Sequence, residues 1–238
     1  MGALVLDWRG ETAFQNRFYM DAIPRMCGIA DVCAVIDLDE FLRPLDGRPD
    51  IPTAVAEIFS RPDVSAAALS WVTYGSNGRV EPGEGLVIER FTRRAADDHI
   101  RHRVVKSMVR PERFNGMANP HVVTLESGEY VNDCGDPIRW TATPAMAVRA
   151  SWSRLRADHF VVKSRQEFES KAARGDVNSP AGFRHRDEAF FLSRDRNEVF
   201  DPMPADFISR TKNEMARLND RLKRVISDDS PLYALLRE

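Results

Sequence analysis

Cysteine is scarce. The 238 residues hold three, Cys27, Cys33 and Cys134, an odd number with no C-x-x-C pair. That argues against a disulfide framework or a zinc knuckle and fits a reducing compartment. Charge of one sign is missing too. Lysine plus arginine number 34 and aspartate plus glutamate 36, a net charge of −2, so nothing marks a nucleic-acid partner or a strongly anionic membrane surface. No apolar run approaches the roughly 20 residues of a transmembrane span. The opening MGALVLDWRGE meets charged residues too early for a signal peptide. There is no internal repeat and no low-complexity tract. These absences lead to the expectation of a cytoplasmic protein, at most peripheral to the inner face of the membrane. What is there is 43% hydrophobic and 29% charged, enough for one domain with a sizeable core, with or without an appendage.

Strand-like and helix-like stretches alternate. ETAFQNRFYMDAIPRM spaces Phe14, Phe18 and Met20 as a helix does, ending near Pro24. DVCAVIDLD is expected to be a buried strand ending in acids. DIPTAVAEIFSRP is expected to be a helix, with Asp50 as N-cap, Pro52 in the first turn and Pro62 beyond the end. VSAAALSWVTYG, RVVKSMV and HVVTL are expected strands, as is the second half of AVRASWSRLRADHFVVKS. In SRQEFESKAARG, Ser164 and Glu167 form an S-x-x-E capping box and Gly175 is a ready C-terminal stop. A long amphipathic helix after Pro204 carries Phe207, Ile208, Met215, Leu218 and Leu222. The alternation predicts a layered α/β domain over 1–201, with a helical extension over 202–238.

The stretch AVIDLDEFLRP, residues 34–44, poses the chemical question. Apolar residues run straight into Asp37, Asp39 and Glu40, carboxylates that repel one another. Asp37 and Asp39 lie two apart, so on an extended chain both point to one side. A divalent cation would relieve the repulsion, and hard oxygen ligands suit Mg2+ or Mn2+. The plain alternative is a solvated strand end. A third reading is a haloacid-dehalogenase-like phosphatase with Asp37 as nucleophile. That pattern wants Thr or Val two residues after the second Asp, where this chain has Phe41.

Five segments, VIDLDEFLRP, WVTYGSNG, LVIERFTRR, VKSMVRP and DHFVVKSRQEFESKAARG, occur in an order that resembles the bacterial glycosyltransferases related to families 92 and 2. The resemblance runs from about residue 12 to about residue 201. It implies a GT-A-like, Rossmann-like mixed sheet with flanking helices, part of whose nucleotide-binding half is absent before Asp37. It implies a metal-dependent enzyme that moves a sugar from a nucleotide-sugar donor to a glycan or lipid-linked acceptor, with inversion. Asp37 and Asp39 match the metal and donor-diphosphate motif, and His159 matches the late histidine that completes such a metal site. Asp158 and Phe160 depart from the family's Asn and Tyr. Trp71, Gly75, Ser76 and His121 fall in the sugar or acceptor pocket.

The cations expected at the diphosphate are Lys106, Arg110, Lys163, Lys171 and Arg174. Fixed positive charge there stabilises a leaving diphosphate more in the transition state than in the ground state. Lys171 and Arg174, three apart on a helix, share a face. Inversion needs a carboxylate to take the acceptor's proton. Asp133 in YVNDCGD and Glu84 in EPGEG are the two candidates, with Asp133 preferred. His99, His102 and His185 sit among arginines and are expected on the surface. A different class of function, a non-catalytic GT-A-like remnant that binds carbohydrate or a protein, fits the short stretch before Asp37. Such a remnant exposes a sheet edge through which it self-associates.

Overall fold

The computed structural model describes residues 15–175 and 186–225. Phe14, His185 and the opening stretch therefore lie outside the described residues. The described residues begin with helix α1 (Gln15–Ala22) and two short strands, β1 (Cys33–Ala34) and β2 (Glu40–Pro44). Helix α2 (Ile51–Ile58) leads into the long strand β3 (Val64–Thr73). After α3 (Val87–Arg90) and β4 (Arg93–Arg94) come β5 (Val105–Val109) and the hairpin β6 (Phe114–Asn119) and β7 (Val122–Leu125). Then follow β8 (Glu129–Asn132), β9 (Leu155–His159), α4 (Arg165–Arg174), α5 (Glu188–Arg194), β10 (Val199–Phe200) and α6 (Ala205–Val225).

The fold is mixed α/β. Six strands form one curled sheet in the order β1-β5-β3-β9-β2, with β8 joining β3 alongside. β3 pairs antiparallel with β5 and parallel with β8 and β9. This central strand is apolar on both faces, as an interior strand must be. Ala67, Leu69 and Ala157 meet Ala54 and Ile58 of α2 on one side. Val72 and Tyr74 meet Ile88, Phe91 and Phe160 on the other.

The expected caps are present. Asp50 accepts from Thr53 N at 2.8 Å, and Ser164 and Glu167 form a reciprocal capping box. α6 begins after Pro204, and Phe207 and Ile208 pack against the second core cluster. Met215 and Leu218 farther along stand 46% and 44% exposed, and the Leu222 side chain lies outside the described residues.

The acidic stretch differs from its expectation. DVCAVIDLD is not one strand with an acidic end. β1 stops at Ala34, and Glu40 opens a new strand. The two strands lie at opposite ends of the sheet order, β1 beside β5 and β2 beside β9. Residues 35–39 therefore cross the sheet and carry the acids over its middle.

Candidate functional site

A tight turn sets the acids apart. Glu40 N donates to Asp37 O at 3.1 Å, and Asp37 N donates to Glu40 Oε2 at 3.0 Å. Leu38, at the tip, is fully exposed. Each acid then finds a different partner. Asp37 Oδ2 accepts from Lys106 Nζ at 2.9 Å and Oδ1 from Gln15 Nε2 at 2.8 Å. Glu40, buried, stands 3.7 Å from the same ammonium, and burial pushes its carboxyl up. Asp39 pairs with Lys171 and stands 3.8 Å from His159 Nε2. Burial alone would raise Asp39, but His159 and Lys171 hold it well below the usual carboxylate range.

Register brings the remaining groups to one face. Leu69 lies opposite Lys106, Trp71 opposite Ala157 and Thr73 opposite His159, so alternation points Lys106, Trp71 and His159 the same way. The Trp71 ring lies between two imidazoles, 4.1 Å from His159 and 5.2 Å from His121 between centroids. His121 Nδ1 donates to Val105 O at 3.1 Å, which leaves the Nε2 lone pair without a partner among the described residues. Burial, and then Lys106, push His121 down to about 4, so the ring is neutral at pH 7.

The basic side of the site hangs on α4. Lys163 takes a left-handed backbone (φ 56°) just ahead of the Ser164 cap. Arg90 grips Glu167 with two 2.9 Å bonds, and Glu167 also accepts from Ser164 Oγ at 2.7 Å. Although burial raises it, Glu167 is held down to about 2 by these donors. The helix start is thereby fixed, and Lys171 and Arg174 project from it into a cleft of about 630 Å3. Asp37, Asp39, Trp71, His121, His159 and Lys163 line that cleft as well.

Against known protein families and curated proteins, the chain matches none.

Several expected site residues lie elsewhere. Asp133 is fully buried and accepts from Ser151 Oγ and from the backbone N–H groups of Ser153 and Arg154, so it anchors the approach to β9 and does not reach the cleft. Glu84 is exposed on a loop outside the cleft. Gly75 and Ser76 serve a loop contact. A Cβ on Gly75 would lie 2.3 Å from Arg196 O, and Ser76 N donates to Asp195 Oδ1 at 2.6 Å. Arg110 holds the carbonyls of Phe59 and Val64, which occupies its guanidinium in the scaffold. His102, expected on the surface, is 1% exposed and packs edge-on against Trp152. Asp158 turns away from the cleft into an ionic network with Arg156, Arg43 and Asp201.

For the expected cation, the donors fit in kind. Two carboxylates and an imidazole gather at one end of the cleft, and each carboxylate oxygen in a hydrogen bond keeps a second lone pair. Among the described residues, though, no three His, Cys, Asp or Glu side chains already converge on one point. A dication held by Asp37, Asp39 and His159 would take the place that the Lys171 ammonium holds at Asp39.

Sequence reasoning passed over Gln15, Glu40, Arg101 and Arg194. Glu40 is visible as one of three clustered acids but carries no role in the expected site. Gln15, Arg101 and Arg194 come from elements far apart in the chain, and no local spacing links them.

Proposed function

We propose that the chain is a glycosyltransferase of GT-A-like fold. It takes a sugar from a nucleotide-sugar donor and passes it to a glycan or lipid-linked acceptor, with Mn2+ or Mg2+ at Asp37, Asp39 and His159. One observation carries the reading: residues from three separate stretches, Asp37–Asp39, His159 and Lys163–Arg174, meet around one cleft of about 630 Å3, while Lys106, expected at the diphosphate, is buried beneath it and holds Asp37. That volume suits a ligand of nucleotide-sugar size.

The bound cation would neutralise diphosphate charge. Lys163 and Arg174, which have no ion-pair partner among the described residues, add fixed positive charge where the leaving diphosphate gains negative charge. Trp71 holds the two imidazoles in place and closes the cleft floor. With Asp133 and Glu84 outside, two acceptors that face the cleft are the Asp39 carboxylate and His121 Nε2. His121 is neutral and accepts the hydrogen bond of an acceptor hydroxyl.

The test is turnover. The chain should hydrolyse a nucleotide sugar slowly with Mn2+ and release nucleoside diphosphate, and Asp39→Ala should abolish both this and the thermal stabilisation by metal with nucleoside diphosphate. Cleavage of an aryl phosphate with a phosphoaspartate at Asp37, and no nucleotide-sugar turnover, would favour a phosphatase. Metal response unchanged in Asp39→Ala would remove the assigned site. A non-catalytic remnant would bind sugar without turnover.

A further inference from the structure

The cleft has a second basic corner. Arg101, in the single helical turn ahead of β5, and Arg194, at the end of α5, both line it. Among the described residues neither forms an ion pair. Arg194 lies flat on the Phe190 ring, its guanidinium carbon 3.5 Å from the centroid, and its donors reach only Phe190 O at 3.5 Å and Ser193 Oγ at 2.9 Å. Burial, and then Arg101, push Arg194 down to about 10. Arg101 is the charged group that bears on it. Two like charges thus line one corner, half-buried, and among the described residues neither is paired with a carboxylate. Such an arrangement is unfavourable unless an anion completes it.

The contrast with the other end of the cleft is direct. There, Lys106 and Lys171 are each matched by a carboxylate. Here, the guanidinium forks, suited to two-point recognition of an oxyacid, are open. The loop on the same wall strengthens the case. Ala145, a cleft residue without the freedom of glycine, sits at φ 58°. Strain of this kind persists where surrounding structure imposes it, and it clusters at ligand sites.

We infer that Arg101 and Arg194 form an anion subsite that takes an acidic oxygen group, phosphate or carboxylate, carried by the acceptor substrate. This rests on the glycosyltransferase reading for the word acceptor; the subsite itself does not. The corresponding acceptors are a phosphate-linked lipid or glycan, or a sugar acid.

The test uses the full chain, with methyl phosphate and a methyl uronate as probes and nucleoside diphosphate with Mn2+ as the control, followed by calorimetry. The parent protein should bind one of the two anions. Arg101→Gln and Arg194→Gln should each weaken that binding about tenfold or more, the loss of one charge-assisted contact. Nucleoside diphosphate binding should stay within twofold, and Asp39→Ala should show the opposite pattern. Methyl phosphate alone, or the uronate alone, identifies the source of the anion. If Arg194→Gln fails to fold, Arg194→Lys, which keeps the charge, should retain most of the binding while Arg101→Gln loses it. No anion binding by the parent, or equal loss of nucleoside diphosphate in the arginine variants, overturns the subsite. Arginine-dependent anion binding without sugar turnover would keep the subsite and reject the glycosyltransferase.

Discussion

Lys106→Met is the sharpest perturbation of the site's foundation. Lys106 has no exposed surface, and the Glu40 side chain beside it has none either. Removing the ammonium leaves two acids. Asp37, about a third exposed, remains solvated. Glu40 does not, and one of its oxygens, Oε1, already lacks a partner. A buried lone carboxylate takes up a proton in preference to staying charged. At pH 7, holding an ordinary glutamate neutral costs about 1.4 kcal/mol for each pH unit above its usual value near 4.3, so about 3.7 kcal/mol. That agrees with the roughly 3–5 kcal/mol for breaking a buried pair. The sign follows. In the variant the folded state binds one more proton than the unfolded state, so stability falls as pH rises and the loss shrinks by about 1.4 kcal/mol per unit toward pH 5. Urea unfolding followed by tryptophan fluorescence at pH 7.5 and pH 5 measures it. Lys106→Met with Glu40→Gln should recover most of the loss, giving a coupling of about 2 kcal/mol or more. A loss below about 1 kcal/mol, or one equal at both pH values, would refute the idea that Lys106 is there to neutralise Glu40.

Asp133→Asn should lower stability by about 3 kcal/mol, because a buried amide cannot accept from all the donors that the carboxylate serves; calorimetric melting checks it, and a normal melting point with lost turnover would restore Asp133 as a catalytic base. Gly75→Ala drives a methyl group into Arg196 O and should cost about 2 kcal/mol or more while loosening 195–197, which limited proteolysis would detect. His102 and His121 are both held near 4 in the fold, below their unfolded value, so each contributes stability that is present above about pH 6.5 and lost as pH falls toward 4. Acidification from pH 7 to 5 should remove on the order of 2 kcal/mol for each, and His102→Leu should flatten the measured slope; an unchanged slope would exclude His102 as a source.

Features written in local spacing were legible. The cap at Asp50, the Ser164–Glu167 box and the run from Val64 to Thr73 each depend on neighbours within a few residues, and each appears in its expected place. Asp37, Asp39, His159, Lys163, Lys171 and Arg174 line one cleft, each from a turn, a strand end or a helix. Features that depend on distant partners were not legible. EFLRP received no element from the sequence, and only its pairing with β9 makes it a strand. Asp133 follows a strand in a loop, a place suited to a catalytic acid, and only the fold brings Ser151 to Arg154 onto it. His102 lies among arginines in the chain, yet Trp152 covers it. Arg101 and Arg194 are 93 positions apart in the numbering and meet only across the cleft.

The acidic segment is a bridge fastened at both ends. Val35 N still donates to Ser107 O at 2.8 Å beside β5, and Asp39 O already accepts from Phe160 N at 2.9 Å beyond β9. Its length is dictated by the width of the sheet beneath it, so one added residue would throw an aspartate off its cation however well the ligand fitted. Its summit carries no such duty. Leu38 touches nothing below and looks outward from the cleft mouth. The span therefore separates two kinds of freedom within three residues: the aspartates are fixed by architecture, and position 38 is where the mouth can change its surface without disturbing the floor.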